Sequence, residues 1–261
     1  MAEELVLAQR EGDCVVLRLN RPDDGNAISL AVAQSLAALV KKAATDATLR
    51  SMIITGAGSR FFCTGGDVKA YAKLGSASDL DAVFDYVRDL LDTIESLHCP
   101  VIAAINGYAV GGGAELALAC DMRVMDASAQ IGFPQSRLGI LPGWDGIERM
   151  LPLLGRAATT RLLLTGTRVR AEEARAIGLV DEVAADGQCV ARALELSRTI
   201  AQTAPLSCGA IKTAIRDAVS GDAQGARMRA REAFARLWFT ADHKEAERAF
   251  AEKREPRFAA R

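Results

Sequence analysis

The sequence predicts an α/β fold, and three observations carry that prediction. Short apolar runs of strand length alternate with longer helical patterns over roughly the first 130 residues. The run at 100–105 (PVIAAI) is apolar on both faces, as a strand buried in a parallel sheet must be. Beyond about Leu151 the pattern becomes almost wholly helical, which places a helical layer after the sheet.

Taken in order, LVLA (5–8) and CVVLRL (14–19) read as strands. Residues 29–46 have apolar positions at helical spacing, with Ser29 as N-cap. MIIT (52–55) is a buried strand, followed by a glycine-rich stretch from Gly56 to Asp67. The clearest helix carries Leu80, Val83, Phe84, Val87, Leu90, Leu91, Ile94 and Leu97 on one stripe, and Ser78 with Asp81 suggests its capping box. After the strand at 100–105, GYAVGGG (107–113) reads as a turn and AELALAC (114–120) as a short buried helix. MRVM (122–125) and AQIG (129–132) are further strands; strand, crossover helix, strand in this order implies parallel pairing. Helical patterns then cover 157–165, 171–176, 188–203, 206–219 and 226–251, with wide apolar faces that include Phe234, Leu237 and Trp238. Such faces call for a neighbouring subunit. No repeat period emerges.

Half the 261 residues are hydrophobic and a quarter charged, a soluble globular balance. A net charge of −1 gives no electrostatic reason to expect nucleic acid or an anionic membrane as partner. Cys14, Cys63, Cys99, Cys120, Cys189 and Cys208 are scattered, which argues against a zinc site and a disulfide framework. His98 and His243 are too isolated to make a metal site, so none is expected. The N-terminus lacks a basic-then-apolar signal, and no apolar run approaches the ~20 residues that span a bilayer. A soluble, cytoplasmic protein is the expectation.

Chemistry concentrates at the glycines. Three in a row between a buried strand and a buried helix let a ligand approach the backbone without a Cβ in the way. The helix N-terminus adds unpaired N–H groups and the positive end of a dipole. A second such turn, Thr64-Gly65-Gly66-Asp67, again precedes a helical run. Two turns of this kind can aim one N–H each at a single oxygen. Neither fits a phosphate-binding Gly-Lys-Ser/Thr loop or the G-x-G-x-x-G spacing of dinucleotide sites. On the residues alone, an oxyanion or phosphate site and plain tight turns both remain open.

Six blocks carry a resemblance: LNRPDDGNAIS (19–29), ITGAGSRFFCTGGDVK (54–69), PVIAAINGYAVGGGAELALACDMRV (100–124), IGFPQSRLGILPG (131–143), LLTGTRVRAEEARAIGLVDEV (163–183) and AFAEKREP (249–256). In this order, over nearly the whole chain, they resemble the crotonase (enoyl-CoA hydratase/isomerase) superfamily. The resemblance implies a β-β-α spiral core, over 1–195, with a C-terminal helical trimerisation region, 196–261, and a homo-trimer or a hexamer built as a dimer of trimers. It implies an acyl-CoA thioester as substrate, with coenzyme A arriving as part of that substrate and no separate cofactor. Gly66 and Gly112 match the N–H donors of the oxyanion hole. Coenzyme A would lie across Asn26 and Ala27 and across Thr64, Gly65, Asp67 and Val68. Phe250 and Lys253 match C-terminal positions that approach its nucleotide end, often from a neighbouring subunit.

Glu115 sits in an otherwise apolar helix, where a carboxylate is costly unless paired or functional. Burial should raise its pKa into the range useful for proton transfer, and it matches one of the two glutamates of the family's hydratases. The other position holds Gln135, which can orient a group but exchanges no proton. Asp145 is the nearest substitute, either a second acid/base group or the cap of a helix starting near Gly146. Beside it, Trp144 either walls an acyl pocket or fills core. The expected activity is therefore of enoyl-CoA hydratase/isomerase type, a lyase or isomerase of fatty-acid metabolism, with two-carboxylate hydration in doubt. Decarboxylation of a malonyl-type CoA and a catalytically weak acyl-CoA-binding role are the alternatives.

Overall fold

A computed structural model describes residues 4–72, 74–219 and 221–260. Two antiparallel strands open the chain, β1 (Val6–Glu11) and β2 (Cys14–Leu19), joined at Gly12, whose φ of +61° suits glycine. Helix α1 (Leu30–Ala44) begins at Ser29, whose hydroxyl accepts from the Val32 N–H at 3.3 Å as expected.

A three-part unit then recurs. Strand β3 (Ser51–Gly56) joins the larger sheet, β4 (Phe61–Cys63) the smaller one, and the helices α2 (Val68–Tyr71) and α3 (Ala77–Ser96) follow. Next come β5 (Val101–Ile105), β6 (Tyr108–Val110) and α4 (Gly112–Leu118). The third pass is β7 (Met122–Asp126), β8 (Gln130–Gly132) and α5 (Gly146–Thr165). Strand β9 (Arg168–Arg170), α6 (Ala171–Ala176) and β10 (Glu182–Ala184) complete the sheets. The larger sheet has the order β1-β2-β3-β5-β7-β10, parallel from β2 onward; the smaller is β4-β6-β8-β9, with only β9 antiparallel. This is a β-β-α spiral.

Both faces of the larger sheet are covered, which explains its doubly apolar strands. On one face Val16, Ile53, Ile102 and Val124 meet Leu194 and Ile200 of α7 (Cys189–Ala201). On the other, Leu17, Ile54, Ala103 and Met125 join Leu36 of α1 and Leu91 of α3 in the main core. The expected division at residue 195 falls inside α7. The last helices are α8 (Pro205–Ala218), α9 (Ala223–Trp238) and α10 (Ala241–Glu252). Lys212 ties α8 down: it is buried, 2.7 Å from Asp121, and donates to the Ile94 and Cys99 carbonyls.

Four local expectations change. Ser76, not Ser78, caps α3, accepting from the Asp79 N–H at 3.1 Å. Part of 107–113 is strand β6 rather than turn. The helical stretch 226–251 is two helices, because Thr240 starts α10 by accepting from the His243 N–H. Helix α5 begins eleven residues before 157, at Gly146, and kinks at Gly155, where φ is +69°. Among the described residues no helix is long and apolar enough to cross a membrane, and the six cysteines are free.

Candidate active site

The glycine turn at 65–66 is built from its flanks. Thr64 donates its N–H and its hydroxyl to the Gly25 carbonyl, at 3.0 and 3.2 Å. The Ile28 N–H donates to Gly65 O at 2.8 Å and the Asp67 N–H to Ile28 O at 3.0 Å. These two bonds straddle Gly66, so its own N–H faces away from them and has no acceptor among the described residues. Asp67 caps α2 through the Ala70 N–H (3.0 Å) and pairs with Arg21 at 2.9 Å. Burial alone would raise its pKa, but those bonds outweigh it and hold the carboxyl below the usual range. Asn26, in the left-handed region at φ +53°, is consumed by structure: it accepts from the Arg21 N–H and donates to the Ala57 and Phe61 carbonyls. Ala27 is buried beside it, and its carbonyl accepts from Arg21.

The second turn docks on the first. Gly111 adopts φ +58°, ψ −125°, a conformation for glycine, and its N–H donates to Gly132 O at 2.9 Å. The Ala114 and Glu115 N–H groups both return to Gly111 O, which leaves the Gly112 N–H at the start of α4 without an acceptor among the described residues. A Cβ on Gly65 would stand 2.8 Å from Gly112 N, and one on Gly113 would overlap the Cys63 carbonyl. Only glycines let the two backbones meet this closely.

Glu115, 2% exposed, is held from three sides. Its Oε2 accepts the Trp144 and Gly146 N–H groups at 2.8 and 3.0 Å, while Oε1 accepts Nε2 of Gln135 at 2.9 Å. Burial pushes its pKa up to about 7, against the lowering effect of those donors. With two N–H donors facing Oε2, the oxygen left to exchange a proton is Oε1. Glu115 thus caps the N-terminus of α5, and Asp145 does not. Asp145 occupies the cap position in the left-handed region (φ +60°), makes no capping bond, and faces Arg88 at 3.6 Å. It lines a groove of about 850 Å³ with Glu95, Arg149 and Ile215, a groove that neither Glu115 nor Gln135 lines.

Two aromatic rings press on the glycines. A Cβ on Gly112 would overlap the Trp144 ring, and one on Gly66 the Tyr71 ring. Trp144 is buried; Tyr71 anchors its hydroxyl on Ile28 O at 2.9 Å and packs on Phe84 with centroids 5.6 Å apart. Tyr71, Arg21 and the N–H groups of Trp144 and Gly146 were not legible as site residues: two act through the backbone, and the others lie in no apolar stripe or charge run. Val68 and Phe250 are exposed, at 75% and 88%, and Lys253 is the left-handed C-cap of α10. Val68 directly follows the 64–67 turn as the first residue of α2, whereas Phe250 and Lys253 belong to the C-terminal helix α10. No group of three or more His, Cys, Asp or Glu is placed to hold a metal ion among the described residues.

The family model for enoyl-CoA hydratase/isomerase matches residues 9–261. The chain belongs to the enoyl-CoA hydratase/isomerase family. Among its relatives in that family, the 2,3-dehydroadipyl-CoA hydratase of Escherichia coli (strain K12) is 34% identical over 98% of this chain and 99% of its own length. The carnitinyl-CoA dehydratase of Proteus mirabilis (strain HI4320) is 37% identical over the full length of both. The crystal structure of an enoyl-CoA hydratase from Bacillus anthracis superposes with a TM-score of 0.94 at 33% identity, covering 98% of this chain and 100% of that one. The spiral with its C-terminal helices is thus the crotonase fold, and this family member is an enzyme that processes acyl-CoA.

Proposed function

We propose that the chain runs hydratase/isomerase chemistry on an enoyl-CoA thioester through a single proton-exchanging carboxylate. The N–H groups of Gly66 and Gly112 receive the thioester carbonyl oxygen as it becomes enolate-like. Glu115 moves the proton at Oε1. What carries this reading is a buried carboxylate whose Oε2 is held by two backbone N–H groups and whose Oε1 accepts one amide N–H, on the helix that begins at Gly112, together with the Gly66 and Gly112 N–H groups, which have no acceptor among the described residues. Shifting a double bond needs a proton removed and returned, and one carboxylate does both. Gln135 exchanges none, so hydration must also draw its proton through Glu115.

Coenzyme A enters as part of the substrate, across Asn26, Ala27, Thr64, Gly65, Asp67 and Val68, with Phe250 and Lys253 near its nucleotide end in a neighbouring subunit. The exposure of Phe250, together with Phe234, Trp238 and Phe239, supports assembly into a trimer or a dimer of trimers, which sedimentation would measure.

The test is a panel of crotonyl-CoA, a 3-enoyl-CoA and methylmalonyl-CoA, with products followed by mass. Turnover of either enoyl-CoA that is lost in Glu115→Gln is the expected result. Decarboxylation alone would replace the reading with a malonyl-type reaction, and binding without turnover would leave only an acyl-CoA-binding role.

A further inference from the structure

The guanidinium of Arg21, 21% exposed, binds the two segments that meet at the Gly65–Gly66 turn. Nη1 donates to the Ala27 carbonyl at 3.1 Å and to Asp67 Oδ2 at 2.9 Å, and Nη2 donates to Asp24 Oδ2 at 2.7 Å. The Ala27 bond leads on to the oxyanion donor. Ala27 O belongs to the peptide that also carries the Ile28 N–H, and that N–H donates to Gly65 O at 2.8 Å. Gly65 O in turn belongs to the peptide that carries the Gly66 N–H. The C=O and N–H of a trans peptide point in opposite directions. A row of two peptides therefore runs head to tail from the Arg21 cation to the Gly66 N–H, the group with no acceptor among the described residues.

Such a row fixes a direction. Turning the Gly65–Gly66 peptide breaks its bond to Ile28 and pulls on the peptide that Arg21 pins at its other end. Asp67, on the far side of Gly66, returns to the same Nη1, so the turn is held before and behind. The row also polarises, because a bond to a charged donor strengthens the next one along. Asp24 and Asp67 offset the through-space field of the guanidinium, so what reaches Gly66 travels through the bonds. The Gly112 N–H has no counterpart to this: the carbonyl of its peptide, Gly111 O, accepts the Ala114 and Glu115 N–H groups and no charged donor among the described residues. We propose that Arg21 is a positioning residue for the reaction, which aims the Gly66 N–H at the thioester oxygen and strengthens it as a donor through the Ala27–Ile28 and Gly65–Gly66 peptides. This rests on the oxyanion reading above and adds a side chain that acts on the reacting carbonyl only through the backbone.

The experiment measures kcat and KM for the enoyl-CoA that turns over fastest, and the infrared carbonyl stretch of bound, unreactive butyryl-CoA labelled with carbon-13 at the thioester, in wild type and Arg21→Met. Methionine keeps the aliphatic bulk and removes the donors. Wild type should lower the stretch of the bound carbonyl, and Arg21→Met should lower it less. Its kcat should fall about tenfold, less than the ~10²–10³-fold of a whole donor lost, with a smaller change in KM. A residue that only holds the fold would lower the melting temperature and leave the bound carbonyl as in wild type, and that result overturns the proposal. So does a rise in KM at unchanged kcat, which makes Arg21 a coenzyme-binding residue instead. If the methionine variant does not fold, Arg21→Gln, too short to hold Ala27 O and Asp67 together, is read in the same way. No downshift in wild type removes the oxyanion reading and this inference with it; a downshift that Arg21→Met leaves whole removes this inference alone.

Discussion

The turn at Gly65–Gly66 is supported by side chains, whereas the turn at Gly111–Gly112 is supported by backbone and a buried helix. Thr64, Asp67 and Arg21 brace the first from a half-exposed layer, and the helix that follows it, α2, is four residues long. The second is wedged between β6, α4 and the start of α5, with Trp144 against it and Glu115 locking the α5 terminus down. One N–H donor is thus carried on an adjustable support and the other on a fixed one. On the function proposed above, a site that admits a large thioester and then holds its oxygen firmly gains from that division, because only one side has to move.

Alanine at each glycine separates the two supports. Neither Gly66 nor Gly112 has a positive φ, so ring space alone decides the outcome. At Gly112 the new methyl meets Trp144, which is 2% exposed and has nowhere to go. Gly112→Ala should lower kcat by about 10²–10³-fold, the scale of losing one such donor, and lower the melting temperature as well. At Gly66 the methyl meets Tyr71 on the short α2. Tyr71 can swing out at the loss of its bond to Ile28 O, about 1 kcal/mol. The Gly66→Ala enzyme should therefore keep more activity than Gly112→Ala by at least about tenfold, with the difference in kcat rather than in KM. Equal losses in steady-state assays would mean that both supports are equally rigid.

A second difference is that only the fixed support carries a buried charge. Burial raises Glu115 from the ordinary 4.5 to about 7. An acid whose pKa is higher in the folded chain stabilises the fold fully below pH 4.5 and loses that contribution as pH rises through about 7. The span is about 3 kcal/mol at 1.36 kcal/mol per unit. Glu115→Gln does not titrate, so wild type should lose up to about 3 kcal/mol against it between pH 4.5 and 8 in denaturant melts. Activity should run the opposite way, rising through about pH 7 as Glu115 becomes the anion that accepts a proton. A flat stability difference across that range would show that the donors around Glu115, and not its burial, govern its charge.

Much of this was legible in the sequence because it rests on periodicity and on glycine. The strands at 14–19, 52–55 and 100–105, the α1 cap at Ser29 and the burial of Glu115 all follow from local pattern. Of the five three-residue strands only β8 was read, from AQIG; β4, β6, β9 and β10 were not, since three residues are too few to show a period of two. The holding of Glu115 by Trp144 and Gly146 was hidden for another reason. Backbone N–H groups have no residue signature, and residues 115 and 144 meet only through the tertiary fold. Asp145 was the costliest misreading as a cap: the position was right, but its left-handed backbone turns the side chain toward Arg88 and leaves Glu115 to take the N–H groups.

Asp145 therefore gives the smallest and most diagnostic effect. A non-glycine residue at φ +60° costs about 1 kcal/mol, and the Arg88 pair at 3.6 Å, on half-exposed side chains, returns little. Asp145→Gly removes the strain together with the charge, so its stability should match or slightly exceed wild type. Asp145→Ala removes the charge and keeps the strain, and should melt below Asp145→Gly by about 1 kcal/mol. Because the carboxyl points away from Glu115 toward α3, both variants should process an enoyl-CoA within about twofold of wild type, too small a change for loss of an acid/base group worth 10²-fold or more. A fall of that larger size in both, at unchanged stability, would make Asp145 the second proton-exchanging group. It would also end the contrast drawn between the two turns, since the fixed support would then carry two carboxyls that act on the substrate.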